Sequence, residues 1–179
     1  MSIQQLATQG RDRTHGGLAA IDATRLRQMR DSGLRSCFRR LDETASRMEH
    51  VATIHGKEYI NDAAAQSINA TLYTLHRMAG PVVWIAKGGS PDADYSLLRS
   101  IALRKVHMII CVGPGCDALQ QTFSPIVPAV VEVDSLSAAV SLASRAPIQG
   151  AKVVFSPATA GTETPSAAAR EFIHQVNEL

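Results

Sequence analysis

The chain has 179 residues, of which 45% are hydrophobic and 19% charged, and its net charge at pH 7 is +2. This length and composition fit one globular domain with its own core and leave too few residues for a multidomain enzyme. No apolar run approaches the roughly 20 residues of a membrane-spanning helix, and the first 17 residues lack the apolar centre of a secretion signal, so the sequence predicts a cytoplasmic protein without a membrane span.

The first 40 residues are basic. They hold eight arginines and three aspartates, a local charge of +5, but Phe38 is their single aromatic residue. Because single-stranded nucleic acid is held largely by stacking on several aromatic rings, nucleic-acid binding is not expected. Residues 1–17 are polar and predict a disordered basic leader. The apolar positions from Leu18 to Leu41 predict helices, so residues 18–48 are interpreted as a helical segment that leads into a domain at 49–179.

From residue 49 onward, strand and helix patterns alternate. Two short strands are predicted around the turn at His55–Gly56, and short apolar segments predict four buried strands, near residues 81–86, 108–112, 129–133 and 152–155. Helices are predicted between them, with Asp94, Asp134 or Ser135, and Thr164 as N-caps. This alternation predicts an α/β fold, a Rossmann-like doubly wound sheet that is mostly parallel with one antiparallel edge strand.

Residues suited to catalysis or metal binding form no known pattern. Cys37, Cys111 and Cys116 match neither a disulfide framework nor a metal-binding spacing, so we expect buried or free thiols. The glycine loop that starts at Lys87 has its lysine before the glycines, and the loop of Gly113–Asp117 contains a proline that removes an amide, so neither is a phosphate-binding loop. No metal site and no catalytic residue are predicted.

The motifs taken together are more specific than each alone. In order they are RMEHVATIHGKEYIND from Arg47, PVVWIAKGGSPDADYSLL, KVHMIICVG, VEVDSLSAAVSLA and VVFSPATA. Over about residues 34–179 this series resembles the C-terminal domain of the Mur ligases, most closely the D-glutamate-adding MurD type. The resemblance implies a Rossmann-like fold with five parallel strands and one antiparallel strand, and a relation to peptidoglycan precursor synthesis. Because the central domain of a complete ligase supplies phosphoryl transfer, this chain alone is expected to be inactive.

The resemblance also implies that the acceptor site is lost. In the family, two lysines, a threonine and a serine hold the incoming D-glutamate. The matching positions here are Ala64, Gln66, Pro91 or Asp92, and Gly161. Both cations that would meet the substrate carboxylates are missing, and burial of a dicarboxylate without paired charge costs on the order of several kcal/mol.

The positions that resemble the family's nucleotide-binding residues are better retained. Arg47, Asn61 and Asp62 match family positions, and in the family the arginine and the aspartate reach ATP. Two interpretations stay open at this point: residual contact with ATP or ADP, or a structural role such as an N-cap formed by Asp62. We expect this chain alone to bind no cofactor. Under the first interpretation, the bound ligand would be ATP or ADP.

Two functional hypotheses follow. The first is a non-catalytic binding or regulatory module that docks on a Mur ligase, on another cell-wall enzyme or on a small-molecule cell-wall precursor. The second is the substrate- and nucleotide-binding part of an ATP-dependent amide-bond ligase whose other domains lie on another chain or outside this sequence. In the second hypothesis Gln66 joins an altered pocket whose candidate residues are Ser67, Lys87, Ser90 and Ser156.

Overall fold

The structure is a computed structural model that describes residues 47–89 and 91–179. The predicted leader 1–17, the helical segment up to residue 46, Cys37 and Ser90 lie outside these residues. The described part contains six strands: β1 Glu49–Ile54, β2 Lys57–Asn61, β3 Val82–Lys87, β4 Val106–Val112, β5 Val130–Val133 and β6 Lys152–Phe155. It also contains five α-helices: α1 Ile68–Arg77, α2 Arg99–Lys105, α3 Asp117–Phe123, α4 Leu136–Arg145 and α5 Pro165–Asn177.

The six strands form one sheet in the order β1-β2-β6-β3-β4-β5. β1 and β2 pair antiparallel through the turn at His55 and Gly56, whose φ values of 49° and 75° suit a tight hairpin. All other neighbouring strands are parallel. The predicted fold class is therefore confirmed, including the single antiparallel strand at the edge.

Helices cover both faces of this sheet, which explains why the central strand β3 is apolar and buried from Val82 to Ala86. Trp84 of β3 lies in the cluster that also contains Leu75 and Ile101, from α1 and α2. Its neighbour Ile85 lies in the cluster that contains Phe172 of α5. Because successive side chains of a strand point to opposite faces, each buried strand contributes to both clusters.

The helix starts mostly agree with the predicted caps. Ser135 accepts a hydrogen bond from Ala138 N at 3.2 Å, and Thr164 precedes Pro165, the first residue of α5. Asp94 caps a short 3-10 turn that leads into α2, because its carboxylate accepts from Ser96 N at 2.9 Å.

The cysteine prediction is wrong for two of the three residues. Cys111 at the end of β4 and Cys116 before α3 form a disulfide across 6.0 Å between their Cα atoms. The tight loop of residues 113–116 brings the strand end and the helix start together, and spacing along the chain does not reveal such an approach. Within residues 47–89 and 91–179, no helix is both long and apolar enough to cross a membrane.

Candidate functional site

The five parallel strands end at one edge of the sheet, and the loops that follow them carry most of the candidate residues. In open α/β sheets, ligands bind outside the carboxyl ends of the strands. The loop after β2 contacts the loop after β6, since Ala158 N donates to Ala65 O at 3.0 Å. The loop after β3 contacts the loop after β4, since Gly89 N donates to Gly115 O at 3.1 Å. Lys87 N at the end of β3 donates to Pro157 O in the loop after β6 at 3.2 Å, so the four loops contact one another in series.

A buried ion pair lies at the β2 end of this edge. Arg47 Nε donates to Asp62 Oδ1 at 2.8 Å, and Arg47 Nη2 donates to Oδ2 at 3.2 Å. The Arg47 side chain is 5% exposed and that of Asp62 is fully buried. Thr74 of α1 also donates its hydroxyl to the carboxylate. Burial raises the pKa of Asp62, and the hydrogen bond from Thr74 and the charge of Arg47 oppose this rise.

The three residues that resemble nucleotide-binding positions are thus placed near one another, but all are engaged within the chain. Asn61 Nδ2 donates to Glu49 Oε2 at 3.1 Å, and its Oδ1 accepts from Ala63 N at 3.2 Å. In the described part of the chain, Arg47 Nη1 is the one buried side-chain nitrogen or oxygen without a partner.

The idea that Asp62 is an N-cap is wrong. Helix α1 begins at Ile68, and its cap is Ser67, whose Oγ accepts from Ala70 N at 3.2 Å. The structural role of Asp62 is instead the ion pair with Arg47. This pairing joins two residues that are 15 positions apart, at the start of the described chain and directly after β2. A sequence pattern that marks the start of a helix does not predict such a contact.

The acceptor-type positions carry no positive charge. Ala64 and Gln66 are half-buried in the loop after β2, and Gly161 is exposed in the loop after β6. Pro91 and Asp92 are exposed in the loop after β3. Of these loops, the structure shows contact between the first two through Ala65 and Ala158. No group of three or more histidine, cysteine or acidic residues among residues 47–89 and 91–179 is placed to hold a metal ion.

The candidate residues of an altered pocket take part in separate contacts within the chain. Lys87 Nζ pairs with Glu163 Oε2 at 2.5 Å, which joins the end of β3 to the loop after β6. Ser156 is buried, and its hydroxyl lies 2.8 Å from that of Thr71 on α1. Ser67 is the helix cap described above. Sequence analysis missed Glu163, Thr71 and Thr74, although two threonines on the inward face of a predicted apolar helix are a usable signal for buried polar contacts.

Gly88 in the loop after β3 and Gly115 in the loop after β4 are needed for the packing of these two loops against each other. Gly88 N donates to Val112 O at 2.9 Å, so its amide and that of Gly89 are both used inside the chain. A Cβ atom on Gly88 would lie 1.8 Å from Pro114 O. A phosphate-binding loop needs free amides, and the amides of Gly88 and Gly89 are not free.

We predict that Gly115→Ala lowers the free energy of unfolding by about 2 kcal/mol. Gly115 has a φ of +84°, and a Cβ there would lie 2.5 Å from Gly89 O. Gly113→Ala is the matched control, because Gly113 has a similar φ of +79° with nothing within 4 Å of the added atom. Chemical denaturation should show a loss of about 1 kcal/mol for the control. Equal losses in both variants would contradict the role of loop packing.

Comparison with known proteins finds relatives that share one name. No protein-family model matches the chain. A UDP-N-acetylmuramoylalanine–D-glutamate ligase of Christiangramia forsetii is 34% identical over 160 residues, which cover 89% of this chain and 36% of that protein. The ligase of the same name from Chlorobium limicola is 32% identical over 151 residues, or 84% of this chain and 32% of that protein. The chain therefore spans about a third of the length of these relatives.

Two solved structures were also found. A domain of a ligase from Haemophilus ducreyi, described as a UDP-N-acetylmuramate:L-alanyl-gamma-D-glutamyl-medo-diaminopimelate ligase, aligns with a TM-score of 0.44 at 7% identity and covers 73% of this chain and 99% of that one. A UDP-N-acetylmuramoyl-L-alanyl-D-glutamate–2,6-diaminopimelate ligase aligns with a TM-score of 0.49 at 14% identity, covering 73% of this chain and 32% of that one.

Proposed function

Since the chain belongs to the Mur ligase family and matches the C-terminal part of the UDP-N-acetylmuramoylalanine–D-glutamate ligases, we propose that it is a non-catalytic binding or regulatory module of peptidoglycan precursor synthesis. In this proposal the chain keeps the fold of the family but does not bind D-glutamate. It acts by docking on a Mur ligase or another cell-wall enzyme, or by holding a cell-wall precursor.

The observation that carries the proposal is the absence of an available cation at the acceptor-type positions. Ala64, Gln66 and Gly161 are uncharged, and the lysine at the end of β3, Lys87, is paired with Glu163 at 2.5 Å. A dicarboxylate that entered this edge would lose its hydration, and an unpaired carboxylate in a cleft is strongly disfavoured. Lys87 would have to release Glu163 before it could pair with a ligand.

Calorimetric titration with D-glutamate tests the proposal directly. We expect no saturable binding at millimolar concentration, which corresponds to a binding free energy weaker than about −4 kcal/mol. The matched variant Ala64→Lys/Gln66→Thr restores the family's residue types at two half-buried loop positions and should gain measurable binding. Saturable binding to the unaltered chain would contradict the proposal. Binding to neither protein would mean that one lysine and one threonine at these positions are not enough to restore the acceptor site.

The second hypothesis, a nucleotide-binding part of a ligase completed by another chain, is favoured by one observation. Arg47 Nη1 is buried and unpaired in the described part of the chain, beside a carboxylate at a nucleotide-type position. A thermal-shift titration with ATP and ADP separates the two hypotheses, because a ligand that binds only the folded state raises the melting temperature. The non-catalytic hypothesis expects no shift, and a saturable shift would support the second.

A further inference from the structure

The disulfide between Cys111 and Cys116 lies inside the loop edge that carries the candidate site. Both cysteines are buried in the apolar cluster around Trp84. The residues between them form a short cover in which Gly113 and Gly115 have positive φ values and Pro114 is exposed. Cys111 is 0% exposed and Cys116 is 1% exposed, so a reagent reaches the disulfide only when this part of the chain opens.

The covering loop is also connected to the loop after β3. Gly89 N donates to Gly115 O at 3.1 Å, and Gly88 N donates to Val112 O at 2.9 Å. Gly88 follows Lys87, whose ammonium pairs with Glu163 in the loop after β6. The disulfide therefore restrains the loop after β4, which contacts the loop after β3, and Lys87 at the start of that loop contacts the loop after β6.

We propose that Cys111 and Cys116 are a reversible thiol–disulfide site, and that its oxidation state controls the order of the loops after β3 and β4. Reduction by a dithiol breaks the S–S bond and transfers two electrons and two protons. Each cysteine sulfur gains one proton, and the two thiols of the reductant become a disulfide. Loss of the cross-link frees the 113–115 loop, so the hydrogen bond from Gly89 to Gly115 opens more often.

The first measurement is a count of thiols in the denatured full chain, after the folded protein has been incubated with an oxidised or a reduced small dithiol. The chain has three cysteines. We expect one reactive thiol in the oxidised sample and three in the reduced sample. The reduced sample should also melt about 5 °C lower, because a short cross-link that restricts the unfolded chain is lost. Three thiols in both samples would overturn the proposal.

The second measurement is amide hydrogen exchange in both samples. We expect the Gly89 amide to exchange about tenfold faster after reduction. The Glu58 amide, which donates to Ala151 O at 3.0 Å at the opposite ends of the strands, should exchange faster only by the factor that the global loss of stability accounts for. Cys116→Ala, which cannot form the cross-link, should exchange at Gly89 at one rate in both conditions. Equal exchange at Gly89 in the oxidised and reduced forms of the unaltered chain would overturn the control of loop order.

Discussion

Replacement of Arg47 by methionine is expected to lower the free energy of unfolding by about 3–5 kcal/mol at neutral pH. The substitution keeps much of the side-chain volume but removes the cation that contacts both oxygens of the fully buried Asp62 carboxylate. An unpaired carboxylate in such surroundings is strongly disfavoured. Urea denaturation measures the loss, with fluorescence of the single tryptophan, Trp84, as the signal.

The same variant should show a pH dependence of known sign. Burial already raises the pKa of Asp62 above its ordinary value of 3.8, and loss of Arg47 raises this pKa further. A group with a raised folded-state pKa contributes its full stability below the unfolded value and loses that contribution as the pH rises through the folded value. The deficit of Arg47→Met relative to the unaltered chain should therefore shrink as the pH falls towards 4.

A double variant provides the control. Arg47→Met/Asp62→Asn replaces the carboxylate with a neutral amide that still accepts a hydrogen bond from Thr74. We expect it to recover at least half of the stability lost in Arg47→Met at neutral pH and to remove the pH dependence of the deficit. If Arg47→Met stays within about 0.5 kcal/mol of the unaltered chain, the ion pair does not stabilise the fold.

Replacement of Lys57 by methionine is expected to lower the free energy of unfolding by about 2–3 kcal/mol. Lys57 begins β2 and is 6% exposed. Its ammonium donates to three carbonyls at the end of α4, those of Ala143 at 2.9 Å, Ser144 at 2.6 Å and Ala146 at 2.6 Å. Burial lowers the pKa of Lys57, and the three carbonyl oxygens offset this desolvation by accepting from the charged group.

Lys105 offers a matched comparison at another helix end. Its ammonium donates to Leu75 O at 3.1 Å, His76 O at 2.7 Å and Met78 O at 2.7 Å, at the end of α1. Lys105 is half-buried, so water can replace the ammonium more easily. We expect Lys105→Met to lose about 1 kcal/mol. Equal losses for both lysines, measured by urea denaturation, would contradict the role assigned to burial.

The sequence predicted the site only in part. The loops after the parallel strands were identified because strand patterns and topology place them at one edge. Asp62 was recognised as a candidate, but its partner Thr74 was not, because the contact depends on how α1 packs over the end of β2. The pairing of Lys87 with Glu163 joins residues 76 positions apart, and neither residue carries a local pattern that predicts it.

By itself, the sequence determined the order of strands and helices along the chain, the antiparallel edge and the helix caps at Ser135 and Thr164. These features depend on local periodicity and on side chains that bond within the same turn, so a few neighbouring residues suffice. The tertiary structure alone decided the Cys111–Cys116 disulfide, the Arg47–Asp62 ion pair and the use of the loop glycines in packing. Each of these depends on distances between chain segments, which the packing of helices on the sheet determines and which no local pattern encodes.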